Sequence, residues 1–333
     1  MNALHSPKLL PAADYARDVA KKIAKARYRV AMIATTFRAN DERSQAIVDE
    51  LVRAAERGVD VCICADTFTY IEPKEFILRA PKRQPVRAMQ ALKLERRIKR
   101  AGGSFHWLGR KANTLFAGRT HSKWTVIDDI AYVGGGVNMD DESFSNIDYM
   151  FRFSDQALAD RLIQEQQHIY RADRGGGAAR NHSAPVSKTT TVLFDNGLPT
   201  NSLIYKRARA LAKQAEHVAL VSQYCPTGAL NRTLKRKQAV LYFNHWRTAS
   251  SLNKLLIRLG MMTARQKTLY NHDCYLHAKF LIATMPDGSK AAITGSHNFM
   301  YGSGLVGTRE VALETYDPHL IRQLETFRRR YVE

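Results

Sequence analysis

The order of elements written into this 333-residue chain occurs twice. A helical pattern over residues 15–27, with Val19, Ile23 and Ala26 at helical spacing, runs into the strand-like YRVAMIATTF. A second pattern over residues 202–216 runs into HVALVSQYC. In each case a helix follows (residues 43–57 and 228–236), then a strand (VDVCICAD and QAVLYFN), then a third helix (residues 86–100 and 246–259). Strands alternating with helices predict an α/β fold of two pseudo-symmetric repeats, each a mixed, mostly parallel sheet flanked by helices. The repeats are expected over residues 1–170 and 190–333. Between them, residues 171–189 are rich in Gly, Ala, Ser and Pro and read as a linker.

Composition narrows the class. The longest apolar runs are too short to span a bilayer. The first residues, MNALHSPKLLPAAD, show no basic region leading into an apolar core, so a cytoplasmic location is expected. Cys62, Cys64, Cys225 and Cys274 contain no Cys-x-x-Cys pair and read as reduced residues, with no zinc-like ligand spacing. The formal net charge of +20 favours a polyanionic partner, either an anionic lipid surface or nucleic acid.

The chemistry lies after each third helix. In THSKWTVIDDIAYVGGGVNMDD, His121 and Lys123 alternate along an extended segment and share a face. Asn138 follows after two predicted strands, then Asp148. In YLHAKFLIATMPDGSKAAITGSHNF, His277 and Lys279 repeat the spacing, followed by Asn298 and Glu310. One His-x-Lys on a strand is ordinarily surface decoration, and one Gly-x-x-Asn is ordinarily a turn. Two copies, each with His, Lys, Asn and a carboxylate in the same order, call for a common chemistry. A neutral imidazole can attack phosphorus, and a second, protonated imidazole can give its proton to the departing alkoxide. Lysines and asparagines suit the non-bridging oxygens, and the carboxylates suit orientation of the imidazoles. This set calls for no metal or other cofactor.

The run His121, Lys123, Asp128, Gly135, Asn138 resembles the HKD signature of the phospholipase D superfamily, with Gly136 at a position often serine. The second copy matches at His277, Lys279, Gly295, Ser296 and Asn298, with Thr284 in place of the aspartate. The resemblance implies that both histidines face one phosphate at the interface of the repeats. It implies that His121 is the nucleophile of a phosphohistidine intermediate and His277 the acid. It also implies that Ser296 joins the lysines and asparagines in binding substrate, and that the aspartate supports a strand.

The duplicated pattern, including GTREVALET after the second motif, is closest in appearance to bacterial cardiolipin synthase-type phosphatidyltransferases. A phospholipid such as phosphatidylglycerol is therefore the expected substrate, with hydrolysis to phosphatidic acid as the alternative. A metal-independent nuclease ranks next, because the basic charge would also serve a phosphate backbone. Apolar residues beside a basic cluster in TFTYIEPKEFILRAPKRQPVR suggest docking at the inner face of an anionic membrane. NTLFAG and NFMYGSGLVG, beside the two motifs, suggest an acyl-lined mouth.

Overall fold

A computed structural model of the chain describes residues 6–70, 86–109, 118–175, 180–198, 200–247, 251–301 and 307–333. The apolar-basic residues 71–85, NTLF and residues 302–306 therefore lie outside the described residues.

Two seven-stranded sheets carry the fold. The first holds β1 (Lys8–Pro11), β2 (Arg29–Ala34), β3 (Asp60–Asp66), β4 (Ser104–Leu108), β5 (Trp124–Ile127), β6 (Ile130–Val133) and β7 (Tyr149–Ser154), in the order β1-β7-β6-β5-β2-β3-β4. The second holds β8 (His182–Pro185), β9 (Thr190–Asn196), β10 (His217–Val221), β11 (Val240–Tyr242), β12 (Phe280–Thr284), β13 (Lys290–Gly295) and β14 (Arg309–Thr315), in the order β11-β10-β12-β13-β14-β9-β8. Laid side by side, β1, β7, β6, β5, β2 and β3 match β9, β14, β13, β12, β10 and β11, so the duplication read from sequence is also one of topology.

Pairing departs from the sequence expectation. Only β2–β3, β3–β4 and β10–β11 run parallel, and the other pairs are antiparallel. The reason is local: tight turns join β5 to β6 and β12 to β13, and such connections permit only antiparallel neighbours. The stretch read as a linker also differs. A helix spans Gln156–Asp173, and β8 begins at His182 with Ala184 buried. Polar, Ser- and Pro-containing residues serve here as an edge strand, where one side of the backbone needs no partner.

Helices α1 (Ala12–Ile23), α2 (Glu42–Glu56) and α3 (Val86–Arg100) cover the outer face of the first sheet; α4 (Asp141–Ser145) is a short turn of helix after β6. Asp41 caps α2 by accepting from the Ser44 amide while Ser44 answers the Asp41 amide. Helices α6 (Leu203–Gln214), α7 (Gly228–Arg236) and α8 (Ser251–Ala264) cover the outer face of the second sheet. Between the sheets lie α5 (Gln156–Asp173) and α9 (Pro318–Tyr331). Along β2 the side chains alternate: Val30 and Met32 enter the outer core, and Ala31 and Ile33 the shared one. Both faces being covered, the strand reads as an unbroken apolar run.

One apolar cluster spans both repeats, joining Trp124 and Phe151 of the first sheet to Phe194 and Phe280 of the second. The repeats therefore fold around a common interior, and the site they frame is held rigidly.

Gly135 marks how closely the backbone packs beside that site: a Cβ there would lie 1.6 Å from the Tyr149 carbonyl oxygen. Gly135→Ala is expected to cost about 3 kcal/mol, as overpacking against backbone does, measurable as a fall in the denaturant midpoint at unchanged slope.

Candidate active site

The two His-x-Lys segments do not lie within strands. They are the extended residues leading into β5 and β12, and there the chain pairs with the opposite repeat. Thr120 bridges to Arg309, and the His121 amide donates to the Arg309 carbonyl at 2.8 Å. Ile147 bridges to Leu276, and the His277 amide donates to the Ile147 carbonyl at 2.9 Å. These exchanged backbone bonds bring each histidine beside the carboxylate of the other half.

The side chains complete the exchange. His121 Nδ1 lies 2.9 Å from Glu310 Oε2, and His277 Nδ1 lies 2.6 Å from Asp148 Oδ2. Each pair joins residues of different repeats. Both carboxylates are buried, and their other contacts fix them. Asp148 Oδ1 accepts from the amides of Gly136 (3.2 Å) and Tyr149 (2.8 Å). Glu310 Oε2 accepts also from Ser296 Oγ, and Oε1 from Thr308 Oγ1 at 3.1 Å.

The missing side chain at Gly136 has a use. A Cβ there would lie 2.8 Å from Asp148 Oδ2, 3.0 Å from Lys279 Nζ and 3.3 Å from His277 Nδ1. The first repeat thus combines glycine with the shorter acid, and the second combines serine with the longer one. Ser296 is spent on Glu310 and on the Val311 amide at 3.0 Å, so the structure places it behind the carboxylate.

Both lysines are buried. Lys123 Nζ donates to Thr35 Oγ1 (2.9 Å) and to the His121 carbonyl (2.7 Å), and Lys279 Nζ donates to the His277 carbonyl. The Asn138 carboxamide oxygen accepts from the amides of Thr35 (3.2 Å) and Thr36 (3.4 Å), which fixes the orientation of the carboxamide. Asn298 is buried too, with Oδ1 unpartnered among the described residues. The two histidines, two lysines and two carboxylates gather in one place, with Asn138 joined to Lys123 through Thr35. His121 is the most open of them, its side chain 22% exposed against 10% for His277.

Burial governs the electrostatics. It pushes His121 below its ordinary value against the pull of Glu310, with Lys123 and Lys279 adding to the push. It brings His277, with Lys279, down to about 4 against Asp148. Lys123 falls to about 7 and Lys279 to about 8 from the same desolvation, despite the carboxylates. Burial would raise Glu310 and Asp148, but the histidines and lysines outweigh it and hold both below the usual carboxylate range. The resting site therefore contains two carboxylates, lysines poised near neutrality and two neutral imidazoles. Each imidazole donates Nδ1–H to its carboxylate and leaves Nε2 with a lone pair.

An anion entering this site restores the cationic forms, so binding takes up protons. Affinity for tungstate, a dianion across the range, is expected to fall by about 100-fold or more between pH 7 and 9 as the free lysines lose their protons. Calorimetry in buffers of different ionisation enthalpy reads the uptake directly; lysines at ordinary values would leave no more than the imidazole proton to be taken up.

Sequence reasoning missed the support beneath His121. Asp66, at the end of β3, is fully buried and accepts from Arg119 Nη1 (2.6 Å), the Phe68 amide (3.0 Å) and the Thr120 amide (2.9 Å). The Arg119 guanidinium lies 4.0 Å from the Phe68 ring centre. This pair fixes the backbone one residue before His121. Asp128 has a comparable task away from the chemistry: at φ 51°, its carboxylate accepts from the amides of Arg27, Tyr28 and Arg29 at the entry to β2. In the second repeat the Thr284 carbonyl takes the Glu216 amide at 2.8 Å.

Comparison with known proteins agrees with this geometry. Residues 19–170 match the family described as cardiolipin synthase, PLD-like domain. The matched residues form a phospholipase D-like domain. The match, with the paired histidines, supports a phosphodiester transferase or hydrolase. Its fold is similar to phosphatidylserine synthase from Haemophilus influenzae, with a TM-score of 0.69 at 14% identity over 98% of this chain and 87% of that one. It is also similar to polyphosphate kinase from Porphyromonas gingivalis, with a TM-score of 0.61 at 12% identity over 96% of this chain and 49% of that one. No curated protein sequence matches the chain. At these identities the likenesses speak for a phospholipase D fold running through both repeats, well beyond the residues of the family match.

Proposed function

We propose that the protein is a phosphatidyltransferase that moves a phosphatidyl group between alcohols through a phosphohistidine. The observation that carries this reading is the reciprocal pairing of His121 with Glu310 and His277 with Asp148. It supplies two imidazoles of fixed tautomer, with Nε2 of each free for chemistry.

His121 Nε2 attacks phosphorus, and the bond from phosphorus to the head-group oxygen breaks. His277, protonated on both nitrogens, gives its Nε2 proton to the departing alkoxide. Lys123, Lys279, Asn138 and Asn298 hold the non-bridging oxygens. An incoming alcohol then gives its proton to neutral His277, its oxygen attacks phosphorus, and His121 is released. Charge supports the protonated acid. Two lysines balance two carboxylates, so the single negative charge of a bound phosphodiester is matched by one imidazolium.

The cardiolipin synthase description of the matched family supports a phospholipid as substrate, and such a substrate puts the work at a membrane face, for which we propose the inner one. Among the described residues no helix is long and apolar enough to cross a membrane, so attachment from the surface is proposed. The net charge of +20 favours a second substrate class, nucleic acid. The test is incubation with labelled phosphatidylglycerol, alone and with added alcohols, beside a DNA-cleavage assay. Transfer to the alcohol, seen as a new labelled phospholipid, is the expected result. Phosphatidic acid alone would make the protein a phospholipase D, and cleaved DNA with untouched lipid would make it a nuclease.

A further inference from the structure

Helix α8 has two apolar faces. Ile257, Gly260 and Ala264 are buried against the second repeat. On the opposite side, Leu255, Leu259 and Met262 are 53%, 49% and 63% exposed, at positions i, i+4 and i+7, and Leu269 beyond the helix is 64% exposed. Elsewhere among the described residues the large exposed apolar side chains are single or, as with Val86 and Met89, a pair. Those on α8 form a stripe, and stripes of this kind mark contact surfaces.

The stretch of chain that carries the stripe has only cationic charge. Between Glu216 and Asp273 the sequence has nine Lys or Arg residues and no Asp or Glu. Arg247, Lys254, Arg258, Arg265 and Lys267 flank the stripe, all of them exposed. The half-buried Trp246 ring lies beside it, with the charged groups of Arg247, Lys254 and Arg258 at 5.3, 5.6 and 5.3 Å from its centre. α7 extends the basic field with Arg232, Lys235 and Arg236, and Asn231 ties it to α8 through the Ala264 carbonyl at 3.1 Å.

We propose that the outward face of α8, with Trp246, docks the protein on an anionic lipid bilayer. Exposed aliphatic residues ringed by cations match the boundary between acyl chains and anionic head groups, and tryptophan suits the same depth. A nucleic acid would use the cations, but it offers nothing for three aliphatic side chains. A second copy would cover the stripe, but two-fold pairing would set five cations against five with no acid to relieve them.

The location gives docking a purpose, for which the proposal rests on the phosphatidyl-transfer reading. Asn244, two residues before Trp246, clamps the residue before His277. Its Nδ2 donates to the Leu276 carbonyl at 2.7 Å, and its Oδ1 accepts the Leu276 amide at 2.9 Å. A bilayer against Trp246 and α8 therefore lies beside the segment that carries His277. The stretch expected from sequence to dock, around residues 68–87, is a different part of the chain.

The full chain is mixed with phosphatidylcholine vesicles, with or without phosphatidylglycerol, and binding is read by sedimentation. Binding should be about 10-fold or more stronger with phosphatidylglycerol and should weaken in 0.5 M salt. Trp107 and Trp124 are buried, so quenching by brominated lipid should report Trp246 and vanish in Trp246→Phe. A variant carrying Leu255→Ser, Leu259→Ser and Met262→Ser should lose about 10-fold or more in vesicle binding. Its melting temperature and its turnover of a short-chain, monomeric phospholipid should stay unchanged. Wild-type binding by that variant, or absence of quenching, overturns the proposal. A lipid-free dimer that the triple variant dissolves would assign the stripe to a second copy, and equal loss of DNA retention would assign it to nucleic acid. Vesicle docking without turnover of any phospholipid would leave the surface in place and sink the phosphatidyltransferase reading.

Discussion

Alanine at His121 or at His277 is expected to lower turnover of a natural phospholipid by about 10⁴-fold or more, and the double variant no further than either single. Such non-additivity follows when two groups act in one sequence of bond changes. Neither step completes without both, because the nucleophile needs a departing group that is protonated, and the acid has nothing to protonate without attack. The singles differ once the leaving group needs no proton. With a p-nitrophenyl phosphodiester, His277→Ala should still release one equivalent of nitrophenol in a burst and stall as a phosphohistidine at residue 121. His121→Ala should give no burst. The reverse pattern would exchange the two roles. Both variants should remain folded, since Glu310 keeps Ser296 and Thr308 as donors and Asp148 keeps the amides of Gly136 and Tyr149. Matching melting curves check this.

The sequence made the duplication and the paired histidines, lysines and carboxylates legible, because each motif recurs with its order intact and carries chemistry unusual for a solvated face. It could not show the crossing of partners. His121 lies 189 positions from Glu310, and spacing along the chain favours the nearer carboxylate, Asp148. The exchange comes from the Thr120–Arg309 and Ile147–Leu276 bridges, which form only when the repeats meet. Pairing direction differs from the expectation because strand–helix–strand runs suggest parallel sheets, while most neighbours here are joined through hairpins or come from distant parts of the chain. Apolar periodicity puts the third helix of the second repeat over residues 246–259, whereas α8 spans Ser251–Ala264. The shift arises because Asn244 anchors the chain to Leu276 and Trp246 with Arg247 forms a turn, which apolar periodicity does not encode. Asp66 and Arg119 stayed hidden for a related reason. A lone Asp at a strand end and a lone Arg before a motif are ordinary in sequence, and only burial gives them a role.

The crossed carboxylates lead to unequal effects from the same chemical change. In Asp148→Asn, the amides of Gly136 and Tyr149 both donate to Oδ1, so the oxygen of the new carboxamide is held there and its NH₂ must face His277 Nδ1. That imidazole then has to accept at Nδ1, which places its one proton on Nε2 and disfavours the doubly protonated acid. A loss of about 10³- to 10⁴-fold in kcat is expected, as when a buried orienting carboxylate is made an amide and the tautomer inverts. In Glu310→Gln, Ser296 Oγ and His121 Nδ1 donate to the same oxygen, and Thr308 Oγ1 can turn to accept from the NH₂ on the other side. The tautomer of His121 is kept and only the charge behind it is lost, so a fall of about 10- to 100-fold is expected. The p-nitrophenyl substrate separates the two further. Asp148→Asn should retain its burst, because attack by His121 is untouched, whereas Glu310→Gln should slow the burst itself. Equal losses in both variants, or a burst missing from Asp148→Asn, would mean that the carboxylates do not act each through the histidine of the opposite repeat.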